Sequence, residues 1–321
     1  MSIHALSDEP ARRSRAMLRT ALGPLICAWL EADDVIEIML NPDGRLWLER
    51  LGGCVQDTGR NMTASEAERI VRLAAHHVGV EAHAGNPRVS AELPGGGERF
   101  EGLLPPVVAA PTFAIRKPAV RSISLSAYEE AGVMTSGQAQ ALRLALGQRR
   151  NILVAGGASS GKTTLTNAVL GELSGRDERV VLIEDTVELK CPAANTVALR
   201  SKEGVASLRD LLRSTLRLRP DRIIVGEVRG AEALDLVKAW GTGHPGGVAT
   251  LHAGTALGAL RRLEQLIQET VSQAPRELIA ETIDVIAVLS RQDGVRRLTE
   301  LCAVSGFEAG AYQLSPLGDD Q

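Results

Sequence analysis

Apolar and polar positions follow two regimes that change near the middle of the chain. In the first, apolar residues recur at helical spacing over 12–31, through Leu18, Leu22, Leu25, Ile26 and Trp29. Pro24 alone disagrees with a continuous helix there. The run DDVIEIMLNPDGRLWLER then places two apolar stretches either side of Asn41-Pro42-Asp43-Gly44. Residues of this kind reverse the chain, so a hairpin is expected. Thr63-Ala64-Ser65-Glu66 has the spacing of a capping box and predicts a helix over 63–78. From Arg88 to Arg116 short apolar stretches alternate with Gly/Pro punctuation, including PGGG at 94–97, and read as strands. Helices and an antiparallel sheet in separate blocks predict an α+β domain over residues 1–120.

Residues 117–130 turn polar and irregular, and a linker is expected at 121–130. Beyond it, short apolar runs alternate with helix-like stretches: ILVAG (152–156), VVLIED (180–185), TVALR (196–200), a helix through 205–218, RIIVGE (222–227) and GVATLH (247–252), with helices after the last two. Runs of Val, Ile and Leu without polar alternation suit a parallel sheet buried on both faces. The second half is therefore expected to be an α/β nucleotide-binding domain over 131–321, without internal repeats.

Bulk properties narrow the function classes. The 321 residues can build two cores, and 44% hydrophobic with 23% charged residues is ordinary for a soluble globular protein. The net charge of −3 is not split into opposed halves, so no global attraction to nucleic acid or anionic lipid is expected. No apolar run reaches the roughly 20 residues of a membrane span. The start, MSIHALSDEPARRSR, has no apolar segment after its charges, so a secretory signal is not expected. Cys27, Cys54, Cys191 and Cys302 are widely spaced and are expected to be reduced, mostly buried thiols in the cytosol.

Candidate chemistry begins at GGASSGKTT (156–164), which fits G-x-x-x-x-G-K-[ST] between a predicted strand and a predicted helix. Gly156 and Gly161 let the backbone curl, so that the loop Gly157, Ala158, Ser159, Ser160 turns N–H groups toward a phosphate at a helix N-terminus. Lys162 is placed for the β- and γ-phosphates of ATP, the Thr163 hydroxyl for Mg²⁺, and Thr164 continues the cradle. The loop alone does not separate a kinase from a motor. VVLIEDTVEL ends a strand with Glu184-Asp185, followed by Glu188. A carboxylate ending the strand beside the P-loop strand can orient or deprotonate an attacking water. Glu227 ends RIIVGE where Asp is more usual, and its longer side chain can reach the Mg²⁺ shell through water. Both acidic strand ends are expected to flank the P-loop strand.

His244 and His252 lie in TGHPGGVATLHAG without the further ligands that zinc needs. His252 reads as a γ-phosphate sensor; a pair of structural histidines is the alternative. Arg209, Arg213 and Arg217 share one helical face. A solvated face, a subunit interface and a nucleic-acid track all fit that spacing, though 2% aromatic residues leave little for base stacking.

Four segments, GGASSGKTT, LIEDTVEL, RPDRIIVGEVRG and TGHPGGVATLHAG, occur in the order of the Walker A, Asp, Walker B and His boxes of the secretion ATPases. The chain resembles that superfamily, which drives type II and type IV secretion, pilus dynamics and conjugation. DDVIEIMLNPDGRLWLER with FAIRKPA (113–119) looks like the N-terminal domain of its type IV branch, and the likeness spans roughly residues 30–305. The resemblance implies a C-terminal RecA-like P-loop domain with a smaller N-terminal α+β domain, a homohexameric ring, and ATP held between the two domains. It implies that Arg99 and Arg116 meet the phosphates, that Glu184 is the catalytic base and that Glu227 serves Mg²⁺. Inner-membrane secretion and conjugation components are the implied partners, with a cytoplasmic location and peripheral association at the inner-membrane face. Direct nucleic-acid binding is not expected. Ala158 and Ser159 depart from the more usual Thr-Gly, and a side chain at 159 restricts the backbone. Beside the mechanochemical ATPase stand a DNA-translocating RecA-like motor or helicase, which needs a basic channel, and a small-molecule kinase, which needs a lid that no insertion after the P-loop supplies.

Overall fold

Each half of the chain is organised by its own β-sheet, in a computed structural model that describes residues 8–51, 53–118, 123–202, 204–292 and 295–318. The chain divides into two compact units, Met1–Val120 and Arg121–Gln321.

The first unit runs α1 (Asp8–Glu31), β1 (Val35–Leu40), β2 (Arg45–Arg50), β3 (Gln56–Asn61), α2 (Ala64–His77), β4 (Arg88–Glu92), β5 (Arg99–Leu103) and β6 (Thr112–Arg116). Its strands form an antiparallel sheet in the order β3-β2-β1-β6-β5-β4. The conflict at Pro24 is resolved one residue earlier. Gly23 leaves helical geometry at φ 75°, ψ 169°, so α1 is two helical pieces and Pro24 opens the second, where its missing N–H costs nothing. Gly44 takes φ 84° and its N–H reaches Asn41 O at 3.0 Å, closing the expected hairpin. The capping box forms: Glu66 N–H donates to Thr63 Oγ1 at 3.3 Å and Thr63 N–H to Glu66 Oε2 at 2.8 Å. Leu22 and Ile26 of α1, Ile70 and Val71 of α2, and Ile38, Phe100 and Ile115 of the sheet share one core. Side chains of this size contribute about 1.5–3 kcal/mol each when fully buried. The strand β3 escapes a pattern-based reading because QDTGRN has no apolar alternation and lies exposed at the sheet edge.

The second unit runs α3 (Leu125–Glu130), α4 (Ser136–Gly147), β7 (Ile152–Gly156), α5 (Lys162–Gly171), β8 (Arg179–Glu184), β9 (Asn195–Arg200), α6 (Leu208–Thr215), β10 (Arg222–Val225), α7 (Glu232–Gly241), β11 (Val248–Leu251), α8 (Ala256–Gln268), α9 (Arg276–Thr282), β12 (Val285–Gln292), β13 (Val295–Glu308) and β14 (Ala311–Pro316). The sheet order is β14-β13-β12-β7-β11-β10-β8-β9, parallel from β12 to β9 and antiparallel across β12, β13 and β14. Successive residues of β7 enter opposite cores, Leu153 and Ala155 on one face and Ile152 and Val154 on the other. A strand covered on both faces has no polar position to spare, which is why its sequence is a continuous apolar run.

Three expectations are corrected. The polar stretch 121–130 is not simply a linker: residues 121 and 122 lie outside the described residues, while α3 buries Leu125 and Tyr128 in the core beside α4 and α5. The helix expected over 205–218 is the shorter α6, capped by Ser207 through Asp210 N–H at 3.2 Å. Neither acidic strand, β8 of Glu184 nor β10 before Glu227, is beside the P-loop strand. β11 and β12 flank β7, and β10 and β11 stand between β7 and β8. Strand order depends on contacts distant in sequence, so local patterns do not carry it.

At the N-terminal edge of the parallel strands, Arg222 is completely buried and donates to Glu178 Oε2 at 2.6 Å and to the carbonyls of Gly246 and Leu146, both at 3.0 Å. Burial pushes the Glu178 carboxyl up, but Arg222 and Arg149 together outweigh it and hold it below the usual carboxylate range. That contribution is present at neutral pH and is lost as pH falls through the depressed value. This edge is closed by salt bridges and backbone ties; the other edge carries the chemistry.

Candidate functional site

The P-loop connects β7 to α5 at the C-terminal edge of the sheet. A Cβ on Gly156 would sit 2.4 Å from Ser160 Oγ and 2.6 Å from Leu289 O, so only glycine fits at the turn. Gly161 takes φ 100° and Ser159 φ 55°, so the serine in place of the usual glycine adopts the left-handed conformation the loop demands. Gly161 gives α5 no side-chain cap, which leaves the helix N-terminus to an outside acceptor. The buried Lys162 turns inward. Its Nζ donates to the carbonyl oxygens of Gly156 at 3.0 Å and Gly157 at 2.9 Å, and lies 3.3 Å from His252 Nδ1. Ser160 Oγ is buried with no hydrogen-bond partner. A curled glycine loop, an inward cation, an uncapped helix start and an orphan hydroxyl fit a polyphosphate.

Carboxylates gather around this loop from two neighbouring segments. Thr163 Oγ1 donates to Glu188 Oε2 at 3.2 Å, and Asn167 Nδ2 donates to Glu188 O at 2.9 Å, which fixes the segment after β8 against α5. Glu184 is buried, and its Oε1 accepts the N–H groups of Glu188 at 2.9 Å and Leu189 at 2.8 Å. Glu184 therefore shapes the loop that presents Glu188. Glu227, following β10, accepts from His252 Nε2 at 2.8 Å, and Arg229 pairs with Asp185 while lying 3.9 Å from Glu227. The all-oxygen set of Thr163, Glu188 and Glu227 is the donor chemistry that Mg²⁺ takes.

His252 joins the two halves of the site. With Lys162 donating to Nδ1, the remaining ring proton sits on Nε2 and points at Glu227. The result is a relay from Lys162 through His252 to Glu227 at the C-terminal ends of β11 and β10. His244 is elsewhere, before β11 and so at the opposite edge of the sheet, where its buried Nδ1 has no hydrogen-bond partner.

In the first unit, Arg99 of β5 and Arg116 of β6 are direct cross-strand partners. They stand in a row with Glu92, Glu37 and Glu49, which pair in turn across β4, β1 and β2. Like charges opposed on a sheet repel, so the central Arg–Arg step is compensated by acids on either side. Burial pushes the Glu37 carboxyl up despite the Arg116 charge beside it. Ala119, the last residue of the FAIRKPA stretch, lies outside the described residues.

The arginine stripe is spoken for in part. Arg209 and Arg213 both donate to Asp235 of α7, at 2.7 and 3.0 Å, and Arg217 lies beyond the end of α6. The thiols are not mostly buried: Cys27 is, Cys54 is exposed, and Cys191 and Cys302 are half-buried. Sequence reasoning noted Glu188 without giving it a role, and missed Arg229 altogether. For Glu188 the available signal was its place three residues beyond Asp185, just past the end of an expected strand.

Residues 67–318 match the family described as Type II/IV secretion system protein. The chain is 50% identical over 299 residues to a protein of Sinorhizobium fredii described as a probable conjugal transfer protein TrbB, covering 92% of this chain and 91% of that one. It is 30% identical over 346 residues to the type IV secretion system protein VirB11 of Bartonella henselae, covering 94% and 95%. The X-ray structure of the Legionella pneumophila ATPase DotB shares the fold at TM-score 0.63 and 20% identity, covering 85% of this chain and 78% of that one.

Proposed function

Since the chain belongs to the type II/IV secretion system protein family, we propose that it hydrolyses ATP and couples turnover to rigid-body domain motion in a homohexameric ring serving a type IV secretion or conjugal transfer system. The observation that carries the reading is the convergence on one loop of Lys162, Thr163, Glu188, His252 and Glu227. Lys162 exchanges its two loop carbonyls for the β- and γ-phosphates of ATP. Thr163 and Glu227 would hold Mg²⁺, which would supply positive charge to offset that of the phosphates. Glu188 accepts the proton of the attacking water, and Glu184 keeps its backbone in place. His252 transmits the presence of the terminal phosphate from Lys162 to Glu227. The resemblance assigns the phosphates to Arg99 and Arg116 as well, and the two form a cross-strand pair of positive charge on the sheet of the first unit.

Release of the terminal phosphate removes one of the two phosphate partners of Lys162 and lets the relay relax, which is the local event a ring would convert into motion. A decisive change of state requires several kcal/mol of difference between ATP- and ADP-bound forms. The working location is the cytoplasmic face of the inner membrane, reached by peripheral association with secretion or conjugation components. No helix among the described residues is long and apolar enough to cross a membrane. The pairing of Arg209 and Arg213 with Asp235 disfavours a nucleic-acid track on that face.

Sedimentation of the full chain with Mg²⁺ and a non-hydrolysable ATP analogue tests the ring. A species of about six times the 34.1 kDa chain mass is expected. A chain that stays monomeric at micromolar concentration with saturating analogue would remove the ring from the account.

A further inference from the structure

The hairpin formed by β12 and β13 reaches the P-loop from the side opposite Glu188. Leu289 of β12 pairs with Gly156, and its carbonyl stands 2.6 Å from where a Gly156 Cβ would be. On β13, Arg296 crosses the start of α5, with Cδ 3.4 Å and Nε 3.6 Å from the position a Cβ on Gly161 would take. Its direction is set by the strand. Leu298, two residues on, is buried in the core that α5 covers, and its N–H is tied to Val133 O at 2.8 Å. Alternation along a strand therefore puts Arg296 on that same face, over the loop. Tyr128 of α3 is close enough to feel the guanidinium charge. Burial pushes its hydroxyl up to about 12, and the nearby Arg296 charge opposes that rise. Among the described residues no carboxylate forms an ion pair with Arg296.

A cation held against the left-handed glycine at the start of α5, with no ion-paired carboxylate among the described residues, matches an anionic ligand in that loop. We infer that Arg296 is a further nucleotide-binding residue of the same chain, which contacts the phosphate oxygens of the nucleotide from the C-terminal hairpin. The inference rests on the proposed P-loop site and adds to it a side-chain cation besides Lys162. It also gives the antiparallel extension β12–β14 a role in the site: β13 carries a phosphate ligand, so nucleotide binding fixes the hairpin against α5.

Binding of a non-hydrolysable ATP analogue, inorganic tripolyphosphate and adenosine is measured by calorimetry on the full chain, for the wild type, Arg296→Met, Arg296→Lys and Lys162→Ala. Met keeps the apolar stem, and Arg296→Gln replaces it should the Met variant melt at a lower temperature than the wild type. The neutral variants are expected to weaken the analogue and tripolyphosphate alike, by about tenfold or more, with adenosine unchanged and Lys restoring part of the loss. Wild-type affinity for both phosphate compounds in the neutral variants would overturn the inference. So would a loss confined to the analogue and adenosine, which would move the contact to the base. If Lys162→Ala also binds tripolyphosphate like the wild type, the P-loop reading itself fails, a result distinct from failure at Arg296 alone.

Discussion

Replacing Lys162 with Ala is expected to lower ATP turnover by at least about 10³-fold while leaving the thermal melting of the chain close to that of the wild type. The ammonium group lies at the bottom of the loop and is already oriented by the carbonyls of Gly156 and Gly157. Charge that develops on the transferring phosphoryl group has to be met by donors fixed in advance, and Ala supplies none. The fold does not depend on the residue in the same way, because α5 is held by Leu165, Ala168 and Val169 in the core. Phosphate release measured beside a melting curve separates the two effects. Turnover in Lys162→Ala within tenfold of the wild type would show that the loop is not the catalytic centre.

The second large effect is expected at Glu188. Glu188→Gln should lower turnover by about 10²–10⁴-fold while retaining ATP binding, since the amide cannot accept the proton of the attacking water. Glu184→Gln is expected to be milder. Its carbonyl can still accept the N–H groups of Glu188 and Leu189 that the Glu184 carboxylate now accepts. Steady-state phosphate release for the two variants, with nucleotide affinity measured separately, distinguishes a proton acceptor from a loop support. A deeper loss in Glu184→Gln than in Glu188→Gln would return the base to the position that the Asp-box resemblance first suggested.

That pair of residues shows where the sequence stops informing. The P-loop was legible because its chemistry is local: two glycines, a lysine and a threonine between a strand and a helix. The hairpin at Gly44 and the capping box at Thr63 and Glu66 were legible for the same reason. Which of the three acids at and beyond the end of β8 faces the loop depends instead on how that segment returns to α5, through Asn167 and Thr163. The position of β8 three strands from β7 likewise follows from packing rather than pattern. The antiparallel extension β12–β14 was not anticipated, because the motif-bearing alternation of strand and helix ends before it. Arg296 was therefore invisible as a site residue, being far in sequence from every box. The His252 pairing with Lys162 and Glu227 was half legible: the residue was singled out, but its two partners are set by the adjacency of β7, β11 and β10.

The fate of the terminal phosphate tests the central claim most directly. The full chain is incubated with Mg²⁺ and ATP labelled in the γ-phosphate, and every labelled product is separated. The label is expected only as inorganic phosphate, at a rate that Lys162→Ala and Glu188→Gln both suppress. Label transferred to any other acceptor, or phosphate released equally by the wild type and both variants, would contradict it.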